Sequence, residues 1–285
     1  MTGAALEWAA VEGGAVLVAT PERAWLHRAD GWGRPDPFAL PMRHAPGDVA
    51  ATGRLLEGAV AAGLAAARAA HPDRRPPPLT ALRWMWRLAG LYHLTTHTPA
   101  LMREAVTRFE IAGRPALAAW ARDKARDETA HDALALRDLA AMGLDGRAVV
   151  DLLRPPVPMA MVAWFRDAVH AKAPPLGVLA YACAVERLAM RVDAGYLARV
   201  QALLPAGVDA TRCLRVHSAV GSDARHVEEN AAVVAALAAD ERAGIVFAVS
   251  EVARLSCAPS ADGYVDDVRL AAVQHTTRQE GRPHE

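Results

Sequence analysis

An all-α bundle preceded by a small extension is the fold class this sequence predicts, and three observations predict it. The apolar fraction of 53% leans on alanine, which favours close-packed helices over sheet. Sustained alternation of Val, Ile and Thr is scarce beyond the first few dozen residues. Pro, Gly and capping residues then punctuate the chain at helix-length intervals.

The elements follow in order. Ala9 to Val11, the turn residues Glu12-Gly13-Gly14, Ala15 to Val18 and Arg23 to His27 predict a hairpin or ribbon. Pro35, Pro37, Pro41 and Pro46 mark a connector. We therefore expect residues 1–46 as an N-terminal extension, 47–279 as the helical domain and 280–285 as a tail. An alanine-rich helix is predicted from Asp48 to Ala70, closed by Pro72 to Pro78, and a second from Thr80 to Thr96. Thr98-Pro99 reads as a cap and first helical position of a third. Gly113 to Pro115 interrupts it, and the next helix runs to Met142 with Gly143 as its C-terminal stop. Asp145 caps a short helix ending before Pro155-Pro156. Helices over Met159–His170, Gly177–Leu204, Ala210–Ala238 and Asp240–Leu255 complete the bundle, with a short helix or a frayed tail from Ser260 onward. Short connections argue for one bundle of seven or eight helices.

Lys plus Arg equals Asp plus Glu at 32 each, spread along the chain, so no nucleic-acid footprint or polybasic membrane patch is expected. Cys183, Cys213 and Cys257 are too widely spaced for a disulfide framework or a cysteine zinc site. The first residues lack the basic-then-apolar pattern of a secretory signal, and no uninterrupted apolar run is of spanning length. A cytoplasmic protein is the expectation.

The chemistry concentrates from Trp120 to Asp138. Read as a continuous helix, this stretch puts Glu128 and His131 three residues apart on one side. That is the Glu-x-x-His arrangement by which helical bundles hold iron or manganese, since imidazole and carboxylate together suit first-row metals. A satisfied surface pair is the bland alternative. Asp223 and His226 form a second acid-plus-His pair at the same spacing. Glu186 is a lone carboxylate in an apolar stretch, where it serves a metal, pairs with Arg187 or Arg191, or is simply exposed on the helix flank. His217 lies six residues before Asp223, roughly 120° off its face on an ideal helix. A kink at Gly221-Ser222 could bring it back.

Asp127-Glu128-Thr129-Ala130-His131, then Asp138-Leu139 and Gly143, the lone Glu186, and His217 with Asp223-x-x-His226 resemble the iron-containing redox enzymes of heme-oxygenase-like fold, the heme-oxygenase-like diiron oxidases. These are similar in fold to thiaminase II and pyrroloquinoline-quinone synthase. The resemblance covers about residues 80 to 255. It implies a seven-helix bundle that binds two Fe(II) ions, with manganese as an alternative, and uses dioxygen to oxidise a small molecule, often in natural-product biosynthesis. By position it implies Glu128, His131, Glu186, His217, Asp223 and His226 as ligands. The family places the histidine four residues before the aspartate rather than six, and supplies a glutamate from an earlier helix. His97 and Glu104 are the candidates for that last position, and the set allows one iron or two.

Tyr92, Tyr181, Trp120 and Phe109 are candidate pocket walls or ordinary core. A thiaminase-like enzyme would need an activated thiol, for which Cys183 and Cys213 each lie about one turn before Glu186 and His217. A haem oxygenase would need no acids beside its histidine. A non-enzymatic partner protein would need a large exposed apolar face. A homodimer is a reasonable prior.

Overall fold

The computed structural model describes residues 6–11, 14–28, 46–72, 75–171, 174–218, 223–257 and 264–278. Most of the proline-rich connector, the Gly221-Ser222 step and the 280–285 tail lie outside the described residues, as do the side chains of Asp223 and Ala224. The class is as expected, helices with a small N-terminal sheet. The chain packs as two compact units interleaved in sequence. One comprises Met1–Arg74, Asp167–Arg191 and Ser222–Ala258; the other comprises Arg75–Arg166, Val192–Gly221 and Pro259–Glu285.

The first unit opens on a three-stranded antiparallel sheet, β1 (Glu7–Ala10), β2 (Val16–Ala19) and β3 (Ala24–His27), in the order β1-β2-β3. Trp8 pairs with Val18, and Val18 with Trp25. Beyond it come α1 (Val49–Ala70), α7 (Gly177–Ala189), α10 (Asp223–Ala235) and α11 (Ala239–Cys257). Asp48 caps α1 by accepting from the Ala51 N–H at 2.8 Å. A Cβ on Gly63 would stand 2.2 Å from the Ser250 carbonyl oxygen, so glycine is what lets α1 lie against α11. By length and composition α1 could cross a membrane. It instead buries Leu55, Leu56, Ala59, Val60 and Leu64, as a core helix does. Across this unit the Arg242 guanidinium grips the Glu7 carboxylate with two bonds of 3.1 and 2.8 Å, both side chains fully buried.

The second unit is built on α2 (Ala81–Ile111), with α3 (Pro115–Asp127), α4 (Asp132–Ala141), α5 (Gly146–Leu152), α8 (Ala194–Gln201), α9 (Arg212–Val216) and α12 (Asp267–Thr277). Its core joins Trp84, Leu88, Leu139, Leu153, Leu214 and Leu270. The chain passes from this unit to the other within α6 (Pro156–His170).

Four expectations are corrected here. The described residues form more than the seven or eight helices expected, because several predicted helices are broken. Conversely, α2 runs through Pro99 instead of restarting there. Thr98, expected as a cap, donates its hydroxyl to the Leu94 carbonyl at 2.9 Å inside the helix. Leu88 and Tyr92 before Pro99, and Leu101, Met102, Ala105 and Phe109 after it, are all buried, so packing anchors both halves against the roughly 3 kcal/mol a helical proline costs. The predicted helix over Gly177–Leu204 breaks at Met190, because Asp193 accepts from the Tyr196 N–H at 2.6 Å and starts α8. The predicted helix over Ala210–Ala238 is α9 and α10, and Asp209 accepts from Thr211 and Arg215 ahead of and along α9. The segment from Ser260 onward does contain a helix, α12.

Candidate metal centre

The Glu-x-x-His pair does not sit in a continuous helix. Helix α3 stops at Asp127 with Glu128 as its C-cap, and α4 starts after His131, its N-cap. Between them Ala130 takes a left-handed φ of 68°, which L-residues other than Asn and Asp seldom adopt. No Gly or Pro signals this break. The Thr129 hydroxyl donates to the Ala125 carbonyl at 2.9 Å, and the His131 N–H reaches the Glu128 carbonyl oxygen at 3.4 Å, so the turn is a tight one. Its result is that His131 Nδ1 lies 2.9 Å from Glu128 Oε2.

His217 completes the group. It is the C-cap of α9, and its ring meets that of His131 edge-on, with centroids 4.7 Å apart. The expected kink at Gly221-Ser222 lies outside the described residues; what brings His217 to His131 is the end of a five-residue helix. Glu128, His131 and His217 each offer one donor atom, and these lie within 4.8 Å of one another. Donors about 2.1 Å from one tetrahedral ion stand about 3.4 Å apart, so an ion held by all three would draw them inward by up to about 1.4 Å. Burial pushes the Glu128 carboxyl up, but the His131 hydrogen bond and the nearby His217, His131 and Lys124 outweigh it and hold the carboxyl below its usual range. An ionised carboxylate beside two imidazoles is the donor chemistry of a divalent first-row metal.

Glu186 and His226 belong to the other unit. Glu186 is buried on α7 and accepts from Asn230 Nδ2 at 2.5 Å, while His226 is buried on α10. The arginines offered as bland partners for Glu186 are engaged elsewhere. Arg187 donates to the Cys183 and Val227 carbonyls, and Arg191 pairs with Glu57 at 3.0 Å. Asp223 begins α10, and its side chain lies outside the described residues. Among the described residues the one group of three metal donors is Glu128, His131 and His217. His97 and Glu104, both on α2, are not brought into it. Burial, then the charge of Arg166, push the His97 imidazole down. Tyr92, Phe109 and Trp120 are buried in the second unit and Tyr181 in the first.

Two residues that the sequence does not flag, Lys124 and Asn230, and one that it flags without a role, Asp138, matter to these groups. Lys124 is buried one turn before Glu128, Asn230 lies one turn after His226, and Asp138 lies two turns after His131. Helical spacing from Glu128, His226 and His131 leads to each of them.

The fold is similar to the crystal structure of a domain of unknown function with a heme oxygenase-like fold from Shewanella denitrificans OS217. The TM-score is 0.57 at 20% sequence identity, over 78% of this chain and 91% of that one. No protein-family model and no curated protein matches the chain. The likeness shows a heme-oxygenase-like fold, and the triad gives that fold a candidate metal site.

Proposed function

We propose that this protein is a metal-dependent oxidoreductase, a non-haem iron oxidase or oxygenase that uses dioxygen on a small organic molecule. The observation that carries the reading is the approach of two imidazoles and one carboxylate to within 4.8 Å at the junction of α3, α4 and α9. A 2-His-1-carboxylate set suits non-haem Fe(II) because it leaves coordination positions open. Fe(II) bound there supplies the one-electron and dioxygen chemistry that side chains lack.

The chain's own residues prepare the site. Glu128 Oε2 and His131 Nδ1 face one another across 2.9 Å, so an ion held by both would take the place of the proton between them, with Glu128 ionised to receive it. The half-buried setting of all three donors keeps water from competing on every side. A second iron, which the family resemblance implies, would draw on Glu186, Asp223 and His226 as donors of the same kind.

The thiol reading loses support from the same geometry. Cys213 is fully buried, and burial, then the charges of Asp138 and Glu128, push its thiol up to about 12. A nucleophilic cysteine needs the opposite shift.

The test is an anaerobic titration of metal-free protein with Fe(II), read as iron bound per chain and followed by a pulse of dioxygen. At least one iron should bind, and dioxygen should be consumed faster than by free Fe(II). His217→Ala and Glu128→Ala should each weaken iron binding by more than about 100-fold, since even outer-shell partners of metal ligands are worth 10- to 100-fold. Two irons per chain, one of them lost in His226→Ala, would bring in the second donor set. No iron bound at all would overturn the reading, and iron bound without dioxygen uptake would remove its redox half.

A further inference from the structure

Helix α9 has five residues, too few to hold itself in place, since helix nucleation is costly and isolated short helices do not persist. What fixes it therefore fixes His217, which ends it. Its buried residues Cys213 and Leu214 pack into the core, and the Trp84 indole N–H donates to the Ala210 carbonyl just before it at 2.8 Å. Packing is non-directional and leaves a short helix free to roll. Direction comes from Asp138 of α4, whose side chain is wholly buried. Its Oδ1 accepts from the Arg212 N–H at 3.1 Å and its Oδ2 from the Cys213 N–H at 2.9 Å, with the Arg212 guanidinium 3.4 Å from Oδ1. Two adjacent backbone donors on two oxygens of one carboxylate set both the position and the roll of the first turn.

Asp138 stands seven residues after His131, and seven residues are within about 20° of two whole helical turns. Both side chains therefore leave one face of the α4 segment, about 10 Å apart along its axis. Helix α9 lies against that face with its first turn at Asp138 and its last residue at His131. Helix α4 thus acts as a ruler, with one end carrying a proposed ligand and the other gripping the helix that delivers the next.

We propose that Asp138 is a positioning residue of the triad, holding His217 against His131 by fixing the first turn of α9. The metal-affinity consequence rests on the function proposed above; the placement of the His217 ring does not. Only an acid fits the grip at this size. Asparagine has one acceptor oxygen, and its amide N–H₂ would face a second N–H group. Burial pushes the Asp138 carboxyl up despite the N–H groups of Cys213 and Arg212 and the Arg212 charge, so the carboxylate is retained here at a cost.

The test uses the full chain with Asp138→Asn, and Asp138→Ser as a milder variant whose hydroxyl cannot reach both N–H groups. In metal-free protein, nuclear Overhauser contacts between the His131 and His217 ring protons should be present in the parent and lost in both variants, with helical circular dichroism unchanged. Co(II), as a visible-absorbing probe, should bind Asp138→Asn about 10- to 100-fold more weakly, with the absorption changes of His217→Ala. The decisive comparison is the double variant, in which Asp138→Asn should cause no further loss of affinity in a His217→Ala background. Retained ring contacts in both variants would overturn the proposal, as would an affinity loss that persists without His217. If the parent chain fails to bind Co(II), the metal reading falls, and the ring contacts alone judge Asp138.

Discussion

Ala130 is the place where the chain departs most plainly from its own local preference, and substituting glycine there gives a result of definite sign. Its φ of 68° costs an L-residue roughly 1–2 kcal/mol relative to the right-handed region. Glycine pays no such cost but loses more freedom on folding, about 0.5–1 kcal/mol. The methyl group of Ala130 is exposed, so its removal forfeits no burial. Ala130→Gly should therefore stabilise the metal-free protein by about 0.5–1 kcal/mol, worth roughly 1–3 °C in Tm for a chain of this size. The natural comparator is Gly113, which has the same φ of 68° with nothing within 4 Å of an added Cβ. Gly113→Ala should lose about what Ala130→Gly gains. Ala119→Gly, at an exposed position inside α3, should cost about 1 kcal/mol. Urea denaturation of the three variants at equal m-value measures all of this. Because glycine also loosens the turn that aims Glu128 and His131 together, Ala130→Gly should bind Fe(II) a few-fold more weakly while being more stable. An Ala130→Gly protein that is neutral or destabilised while Ala119→Gly behaves as expected would refute the strain argument.

Two further outcomes follow from burial. Of the three cysteines, Cys257 is exposed while Cys183 and Cys213 are buried, so one thiol per native chain should react with a disulfide reagent and three after denaturation. Cys213, with its thiol pushed from 9.0 up to about 12, should stay silent from about pH 7 to about pH 10. Since its folded value lies above the unfolded one, its contribution to stability is full below about pH 9 and is lost as the pH climbs toward about 12. Glu7→Gln should destabilise the sheet-containing unit by about 3–5 kcal/mol, because it strands the buried Arg242. Glu7→Leu combined with Arg242→Met should cost less than either single change, as read by chemical denaturation.

The legible parts of this fold are those written in side chains that act on their own backbone. Asp48, Thr80 and Asp145 cap helices where they stand in the sequence, and Gly143, at φ 76°, ends α4. The illegible parts depend on tertiary contacts. Pro99 reads as a helix start, and only the core residues on both sides of it carry α2 through. Thr129-Ala130 carries no break signal, yet the chain breaks there. The site shows the same division. Glu128 and His131 are found by spacing, although a turn joins them rather than the helix that the spacing suggested. His217 was found by resemblance and left off its face by helical arithmetic, because α9 ends at it instead of continuing to Asp223. Glu186 and His226 are buried as a ligand role requires, but Asn230, which meets Glu186, carried no motif to announce it.

The choice between a metal triad and a merely satisfied Glu–His pair turns on what surrounds Glu128 and His131. A structural pair needs no special support, since an unbroken helix already places residues three apart in contact. Here the helix is broken between them at the expense of a left-handed alanine. The third donor hangs on a five-residue helix. That helix in turn is held by a buried carboxylate, where an apolar side chain would pack without the cost of burying a charge. Each feature is locally unfavourable by about 1 kcal/mol or more, and each bears on the placement of Glu128, His131 or His217. Natural sequences are otherwise locally consistent, and they concentrate such departures where function needs a geometry that stability alone would not choose. The buried Glu7–Arg242 pair in the other unit marks the contrast. There two charges satisfy one another and join a strand to a helix, with no strained backbone at either residue. Around the triad the cation site proposed above would give the unfavourable choices a common purpose.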